Sequence, residues 1–246
     1  MIVFKLLRVF AHLFIGLSTC AVVFPLANRA GRERCIKKWS IKLLNICGVQ
    51  VEVMHTTSAP PTQCALIIAN HVSWLDIFVM NSFHPCRFVA KSEIRDWPLL
   101  GWLCAKSGAI FIARGRIRDV RRIFEGLVAS IKAGEHVAFF PEGTTAAQGG
   151  LLPFHSNLFE AAIDADVPIQ PFAIRYVDAG GRLHSVVDFI GDMSFAQSMI
   201  AILKVGGIKA ILTRLPIIET KGSHRRELAG AARQAIAAGL GHIEGN

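Results

Sequence analysis

The stretch CALIIANHVSWLDIFVMNSF, residues 64–83, decides the fold. Residues 64–69 are a short apolar run of strand length, and 73–83 are an apolar segment of helical length. A strand followed closely by a helix is the unit from which α/β domains are built. The joint between them carries Asn70 and His71, and the helix carries Asp76. Ionisable groups in so apolar a run need partners or solvent, because an unpaired buried charge is expensive.

Outward from this unit the alternation continues. Strands are expected at 64–69, 86–91, 108–113, 136–140, 168–176, 184–190 and 208–214, and helices at 73–83, 97–105, 117–133, 155–165, 194–204 and 223–240. In the helix 117–133, Val120, Ile123, Phe124, Leu127, Val128 and Ile131 form one stripe, and Gly134 stands where a C-terminal cap belongs. No linker or internal repeat divides the body. The expected architecture is one α/β domain, residues 51–246, with a mixed central sheet flanked by helices, preceded by an N-terminal membrane-associated helical arm, residues 1–50.

That arm holds most of the charge imbalance. The chain of 246 residues has a formal net charge of +9, and its first 50 residues carry eight Lys or Arg against Glu33 alone. The basic residues are interleaved with long apolar runs and no nucleic-acid-binding signature follows, so an anionic membrane surface is the expected partner and nucleic acid is not. Between Val9 and Ala27 the only ionisable residue is His12, a length close to that of a spanning helix. Three readings compete: a transmembrane anchor, a helix pair in one leaflet, and a secretory signal. In the leaflet version Lys37, Lys38 and Lys42 face the headgroups while Ile36, Trp39, Leu43 and Ile46 face lipid. The first two versions hold the body on the cytoplasmic side of an inner membrane. Six cysteines without a C-x-x-C pair are read as reduced, buried thiols, with no zinc site and no disulfide framework.

Polar residues follow the carboxyl ends of four strands: Asn70-His71, then Lys91, then Arg114, then Pro141-Glu142-Gly143-Thr144. Ligands bind at that edge of open α/β sheets because loops and helix N-termini converge there. Residues five apart in a helix point about 140° apart, so His71 meets Asp76 only from just outside the helix. One reading makes Ser73 an N-cap and His71 a satisfied core histidine. The other makes His71 and Asp76 a dyad, with Asp76 accepting one imidazole N–H while the second nitrogen takes a proton from a hydroxyl. No nucleophile elbow is present, so such a base acts on a substrate hydroxyl directly. Arg114 and Lys91 suit an anionic head, and backbone N–H groups around Gly143 and Thr144 suit an anion-binding nest. Glu142 fits beside a phosphate only if it pairs with Arg114 or accepts from a substrate hydroxyl.

These residues together resemble the glycerolipid acyltransferases. NHVSWLD at 70–76 is similar to that family's N-H-x-x-x-x-D block, GAIFIARG at 108–115 to its second block, FPEGTT at 140–145 to its third, and VPIQPFAI at 167–174 to its fourth, in matching order. Ala113 stands where the family often has an acidic residue. The resemblance implies transfer of a fatty acyl group from an acyl-coenzyme A or acyl-carrier-protein thioester to the free hydroxyl of a lysophospholipid, most commonly lysophosphatidic acid, to give phosphatidic acid. It implies His71 as base, Asp76 as its orienter, and Arg114 with the 142–144 loop on the phosphate, without metal or prosthetic group. FPEGTTAAQGGLLPFHSNLFEAA also looks like a bacterial branch acting on lyso-ornithine lipid and other lysolipids. A thioesterase and a non-catalytic lipid-binding membrane protein are the rival readings.

Overall fold

The computed structural model describes residues 2–56, 65–112 and 117–241, with the backbone alone for 117–123. Seven strands form one mixed sheet in the order β1 (Val49–His55), β7 (Ile208–Arg214), β6 (Ile169–Val177), β2 (Leu66–Ala69), β5 (Val137–Phe139), β3 (Arg87–Lys91), β4 (Ile110–Ile112). All neighbours pair in parallel except β6 and β7, where Phe172 lies opposite Arg214 and Tyr176 opposite Ala210. Parallel neighbours require crossovers, and the helices supply them.

Side chains alternate across the sheet. Leu66 and Ile68 join the layer of α5 (Ile117–Lys132), α6 (Glu160–Ala165) and α8 (Arg225–Leu240), where Leu127, Ile131, Ala162 and Ile236 are buried. Ile67 and Ala69 join the opposite layer, formed by α2 (Arg29–Cys47), α3 (Asp76–Phe83) and α7 (Phe195–Val205) with Leu44, Cys47, Val79 and Ile202. Burial on both faces explains why β2 reads as an unbroken apolar run. Each fully buried aliphatic side chain contributes about 1.5–3 kcal/mol. Close approach of α8 depends on Gly239, where an added Cβ would stand 2.8 Å from Leu215 and 3.2 Å from Ala173.

The N-terminal segment is a helical hairpin. α1 (Ile2–Ser18) continues through a π-helical turn, Thr19–Val23, before α2 returns. Two hydrogen bonds lock the pair: His12 Nε2 with the Trp39 carbonyl at 2.9 Å and Trp39 Nε1 to the His12 carbonyl at 3.0 Å, with the two rings stacked. Lys5 Nζ donates to the Leu203 carbonyl of α7 at 2.6 Å. Ile2, Leu6 and Val9 pack on the core, while Val3, Phe4, Leu7, Phe10 and Phe14 on the other side are exposed. Segment 2–23 is long and apolar enough to cross a bilayer by length and composition.

Several expected elements differ. Leu43 and Ile46 are buried in the domain core and Trp39 packs on α1, so they do not form the outward apolar face expected of α2. α1 carries that face instead. Residues 184–190 form no strand: Ser185–Val187 is a short 3-10 helix whose Val187 enters the core, and the Phe189 N–H bonds the Val72 carbonyl. Conversely β1 was not expected, and it runs across the boundary drawn at residue 50. Its Val49, Val51 and Val53 pack on the core, and Glu52 pairs with Lys209 of β7 at 3.0 Å. Segment 155–165 divides into a 3-10 turn, Asn157–Phe159, and α6. α4 (Leu100–Lys106) begins three residues later than its expected start.

Candidate active site

The five mutually parallel strands β6, β2, β5, β3 and β4 bring their carboxyl ends to one edge. Immediately beyond β2, Asn70 clamps the edge to β6: its Nδ2 donates to the Ile174 carbonyl at 2.9 Å and its Oδ1 accepts the Ile174 N–H at 2.8 Å. The chain then turns through His71 into α3, whose first residue is Asp76.

Asp76 is fully buried and its two oxygens accept four hydrogen bonds. Oδ2 takes the N–H of Val72 at 2.7 Å, the N–H of Ser73 at 2.9 Å and His71 Nδ1 at 2.8 Å. Oδ1 takes the Tyr176 hydroxyl at 2.6 Å. Backbone N–H groups can only donate, so the group facing them is an acceptor, and the α3 N-terminus supports its negative charge. Nδ1 of His71 is therefore the protonated nitrogen of the neutral ring, which leaves a lone pair at Nε2. The Ser73 hydroxyl is not the expected N-cap; it is buried and has no partner among the described residues. Asp76 reaches back to the turn in its place.

Three contacts fix the imidazole and its backbone. Its ring stacks on Phe140 at 4.0 Å between centroids and 6° between planes, while the side chain stays 18% exposed. Glu142, only 3% exposed, accepts the His71 N–H at 2.7 Å through Oε1 and the Leu152 N–H at 2.9 Å through Oε2. Burial pushes the Glu142 carboxyl above its ordinary range; the two backbone donors oppose the rise and the Asp76 charge adds to it. Ala146 N–H bonds the His71 carbonyl at 2.8 Å. The sharp turn between Glu142 and this anchor needs Gly143, whose φ is +69°, and the exposed His155 ring lies so close that an added Cβ would meet it at 3.1 Å.

Of the expected residues, His71, Asp76 and Glu142 are thus bonded into one unit, with Gly143 and Thr144 exposed on the adjoining turn. The Gly143 N–H is turned onto the Phe140 carbonyl at 3.1 Å, away from the nest expected of it. Glu142 braces two loops through these backbone bonds. Lys91 ends β3 at the same sheet edge and is exposed. Arg114 and Ala113 lie outside the described residues. The parts played by Tyr176 and Phe140 were not foreseen, and Asn70, expected at this edge, had been given no partner. Burial raises the Tyr176 phenol well above its ordinary value, with the Asp76 charge adding, so the hydroxyl stays a donor. Among the described residues no group of three His, Cys, Asp or Glu side chains is placed to hold a metal ion.

Comparison with known proteins gives the arrangement its relatives. The family model described as Acyltransferase matches residues 50–175. Over 205 residues the chain is 35% identical to a lyso-ornithine lipid O-acyltransferase of Pseudomonas aeruginosa, covering 83% of this chain and 78% of that one. It is 44% identical over 151 residues to a 1-acyl-sn-glycerol-3-phosphate acyltransferase of Neisseria meningitidis, covering 61% and 59%. The crystal structure of the 1-acyl-sn-glycerophosphate acyltransferase of Thermotoga maritima superposes with a TM-score of 0.70 over 100% of this chain and 99% of that one, at 21% identity. That last likeness is one of fold.

Proposed function

The chain belongs to the acyltransferase family, and from that premise we propose that it moves a fatty acyl group from a coenzyme A or acyl-carrier-protein thioester to the free hydroxyl of 1-acyl-sn-glycerol-3-phosphate, giving phosphatidic acid. The observation that carries this is the His71 ring, held through Nδ1 by a buried carboxylate and by Phe140 across its face, with Nε2 uncommitted among the described residues. As the acceptor oxygen attacks the thioester carbonyl, Nε2 takes the hydroxyl proton. The ester C–O bond forms, the C–S bond breaks, and the imidazolium returns the proton to the departing thiolate. General-base assistance of this kind is worth about 10²–10⁴ in rate. The route requires no metal or prosthetic group. Asp76 keeps the ring in its productive tautomer, Tyr176 and two backbone N–H groups keep Asp76 in place, and Glu142 ties the His71 backbone to the loop after β5. Arg114, Lys91 and Thr144 are proposed to hold the acceptor head.

The name of the Pseudomonas aeruginosa relative supports a second acceptor, lyso-ornithine lipid. Thiol release from acyl-coenzyme A and acyl carrier protein by detergent-purified protein, measured with each lysolipid and with His71→Ala, tests both. Release that depends on lysophosphatidic acid and disappears in the variant supports the first reading. Release with lyso-ornithine lipid alone transfers the proposal to that acceptor, and activity surviving in His71→Ala removes the base.

We place the protein at the cytoplasmic face of an inner membrane with α1 lying in one leaflet. The bonds from His12 to Trp39 and from Lys5 to Leu203 support this, because a spanning α1 would have to part from α2 and α7 or draw their charged residues into lipid.

A further inference from the structure

Among the described residues, large exposed apolar side chains are scattered singly over the body but stand close together in two places. One is the outer face of α1. The other is a single turn: Trp97, Leu99 and Trp102, within six residues, are 45%, 59% and 40% exposed. Nothing in the packing of the domain calls for three such side chains in water, and clusters of this kind mark contact surfaces.

The backbone is distorted to hold them out. Leu99 has φ +61° and ψ −49°, and the Leu100 N–H reaches the Pro98 carbonyl at 2.6 Å, a three-residue turn of the strained form. A bulky residue persists there only when its surroundings over-determine it. They do so through Gly101, packed so tightly under the turn that an added Cβ would stand 2.1 Å from the Arg95 carbonyl oxygen. A leucine in a strained conformation would ordinarily be repaid by burial. Leu99 is instead the most exposed of the three.

The flanking charges have the character of a water–lipid boundary. Lys106 lies 5.7 Å from the centre of the Trp102 ring and Arg95 lies 6.0 Å from that of Phe111. Tryptophan bordered by Lys and Arg is the composition of interfacial belts. Glu93 and Asp96 share the segment, so ring insertion rather than net charge has to carry the contact. Position favours lipid over an acidic protein partner. Just beyond α4 the Ser107 side chain hydrogen-bonds Cys20, and Lys106 lies within electrostatic reach of the same thiol, so this segment packs against the π-helical turn that continues α1, where Val22 and Val23 are exposed. At the other end Lys91 ties the segment to the carboxyl edge of the sheet, where His71 stands.

We propose that residues 97–102 are a second lipid-contacting foot, which together with α1 seats the carboxyl edge of the sheet on the bilayer. This rests on the reading of α1 as a leaflet helix. Two separated feet set a tilt as well as a depth, so a lysolipid acceptor approaches the histidine without leaving the interface.

The test uses full-length protein, vesicles of phosphatidylcholine and phosphatidylglycerol, and the same vesicles with acyl-chain-brominated phosphatidylcholine as a quencher of tryptophan fluorescence. Trp39 and Trp74 pack within the protein, so Trp97 and Trp102 should supply most of the quenching. The variant Trp97→Phe/Trp102→Phe should still bind vesicles and lose most of that quenching. Leu99→Gly relaxes the strained turn while removing its apolar tip, so its unfolding midpoint should not fall while vesicle partitioning drops about three- to tenfold. Wild-type binding with quenching unchanged in the double Phe variant overturns the second foot, as does wild-type partitioning by Leu99→Gly; an acidic protein partner on the turn would give the former result. Failure of the wild type to bind vesicles overturns the leaflet reading of α1 as well, while acyl transfer to detergent-dispersed lysolipid stands or falls separately.

Discussion

Opposite edges of the same sheet carry a histidine pairing each, and they behave differently. At the carboxyl edge His71 meets a buried carboxylate and, among the described residues, keeps one nitrogen uncommitted. At the amino edge His84 and His136, which precede β3 and β5, pack edge to face at 3.9 Å. Burial pushes His84 down to about 4, with His136 and Lys37 adding and Glu33 opposing. Burial likewise lowers His136, with Arg29 adding. The nearby carboxylate Glu135 is engaged by Arg87, which also donates to Ser130 at 2.7 Å. Proximity of two titratable rings makes packing; a carboxylate behind one ring and access in front of it are what the proposed base requires.

The sharpest way to break this contrast is substitution of one histidine at each edge. His71→Ala should lower acceptor-dependent thiol release by about 10²–10⁴ without loss of fold, whereas His84→Gln should retain most of it. Comparable losses in both would make the two edges equivalent.

Next in size is Asp76→Asn. The side-chain amide cannot accept from all four donors, so release should fall by about 10²–10³ and stability by about 1–3 kcal/mol, read from turnover and urea midpoints of the same preparation. Tyr176→Phe removes a single donor. It should reduce kcat about tenfold with little change in KM, because the hydroxyl touches Asp76 rather than substrate. A KM effect of that size would instead place Tyr176 in acceptor binding.

The smallest effect belongs to the amino edge. There the folded state favours neutral His84, so between its ordinary 6.5 and about 4 the unfolded chain binds more protons than the folded one. Stability should therefore decline as pH falls through that window, by about 1 kcal/mol once solvent screening of a partly exposed ring is allowed for. His84→Gln should flatten the decline in urea midpoints measured from pH 7 to pH 4.5; an unchanged slope would assign the acid loss to other groups.

How much of this was legible in the sequence depended on the range of the interaction. β2, α3 and the polar residues beyond the strands could be read because strand length, helical spacing and the H-x-x-x-x-D offset are local. The role of Tyr176 could not, since it follows from β6 lying beside β2 and meets Asp76 from 100 residues away. Segment 184–190 has strand composition, but its Phe189 carbonyl accepts from Thr145 and its backbone crosses the loop end instead of joining the sheet. β1 alternates valine with Gln50 and Glu52 at an edge, and it follows so soon after α2 that it was divided between arm and body. The buried face of α2 was concealed for a related reason: its basic residues suggested a membrane, while Lys37 and Arg29 in fact reach the Phe83 and Ala133 carbonyls of the domain.

The inner face of α1 has a practical consequence for anyone wishing to handle this protein. Deleting the first two dozen residues, a common route to a detergent-free enzyme, would strip Ile2, Leu6 and Val9 from the core and leave Trp39 and the Leu203 carbonyl uncovered. The helix that looks most like a detachable handle is also part of the casing. Shortening the chain should therefore yield aggregates, and polar replacements confined to Phe4, Leu7, Phe10 and Phe14 offer the better path to a tractable preparation.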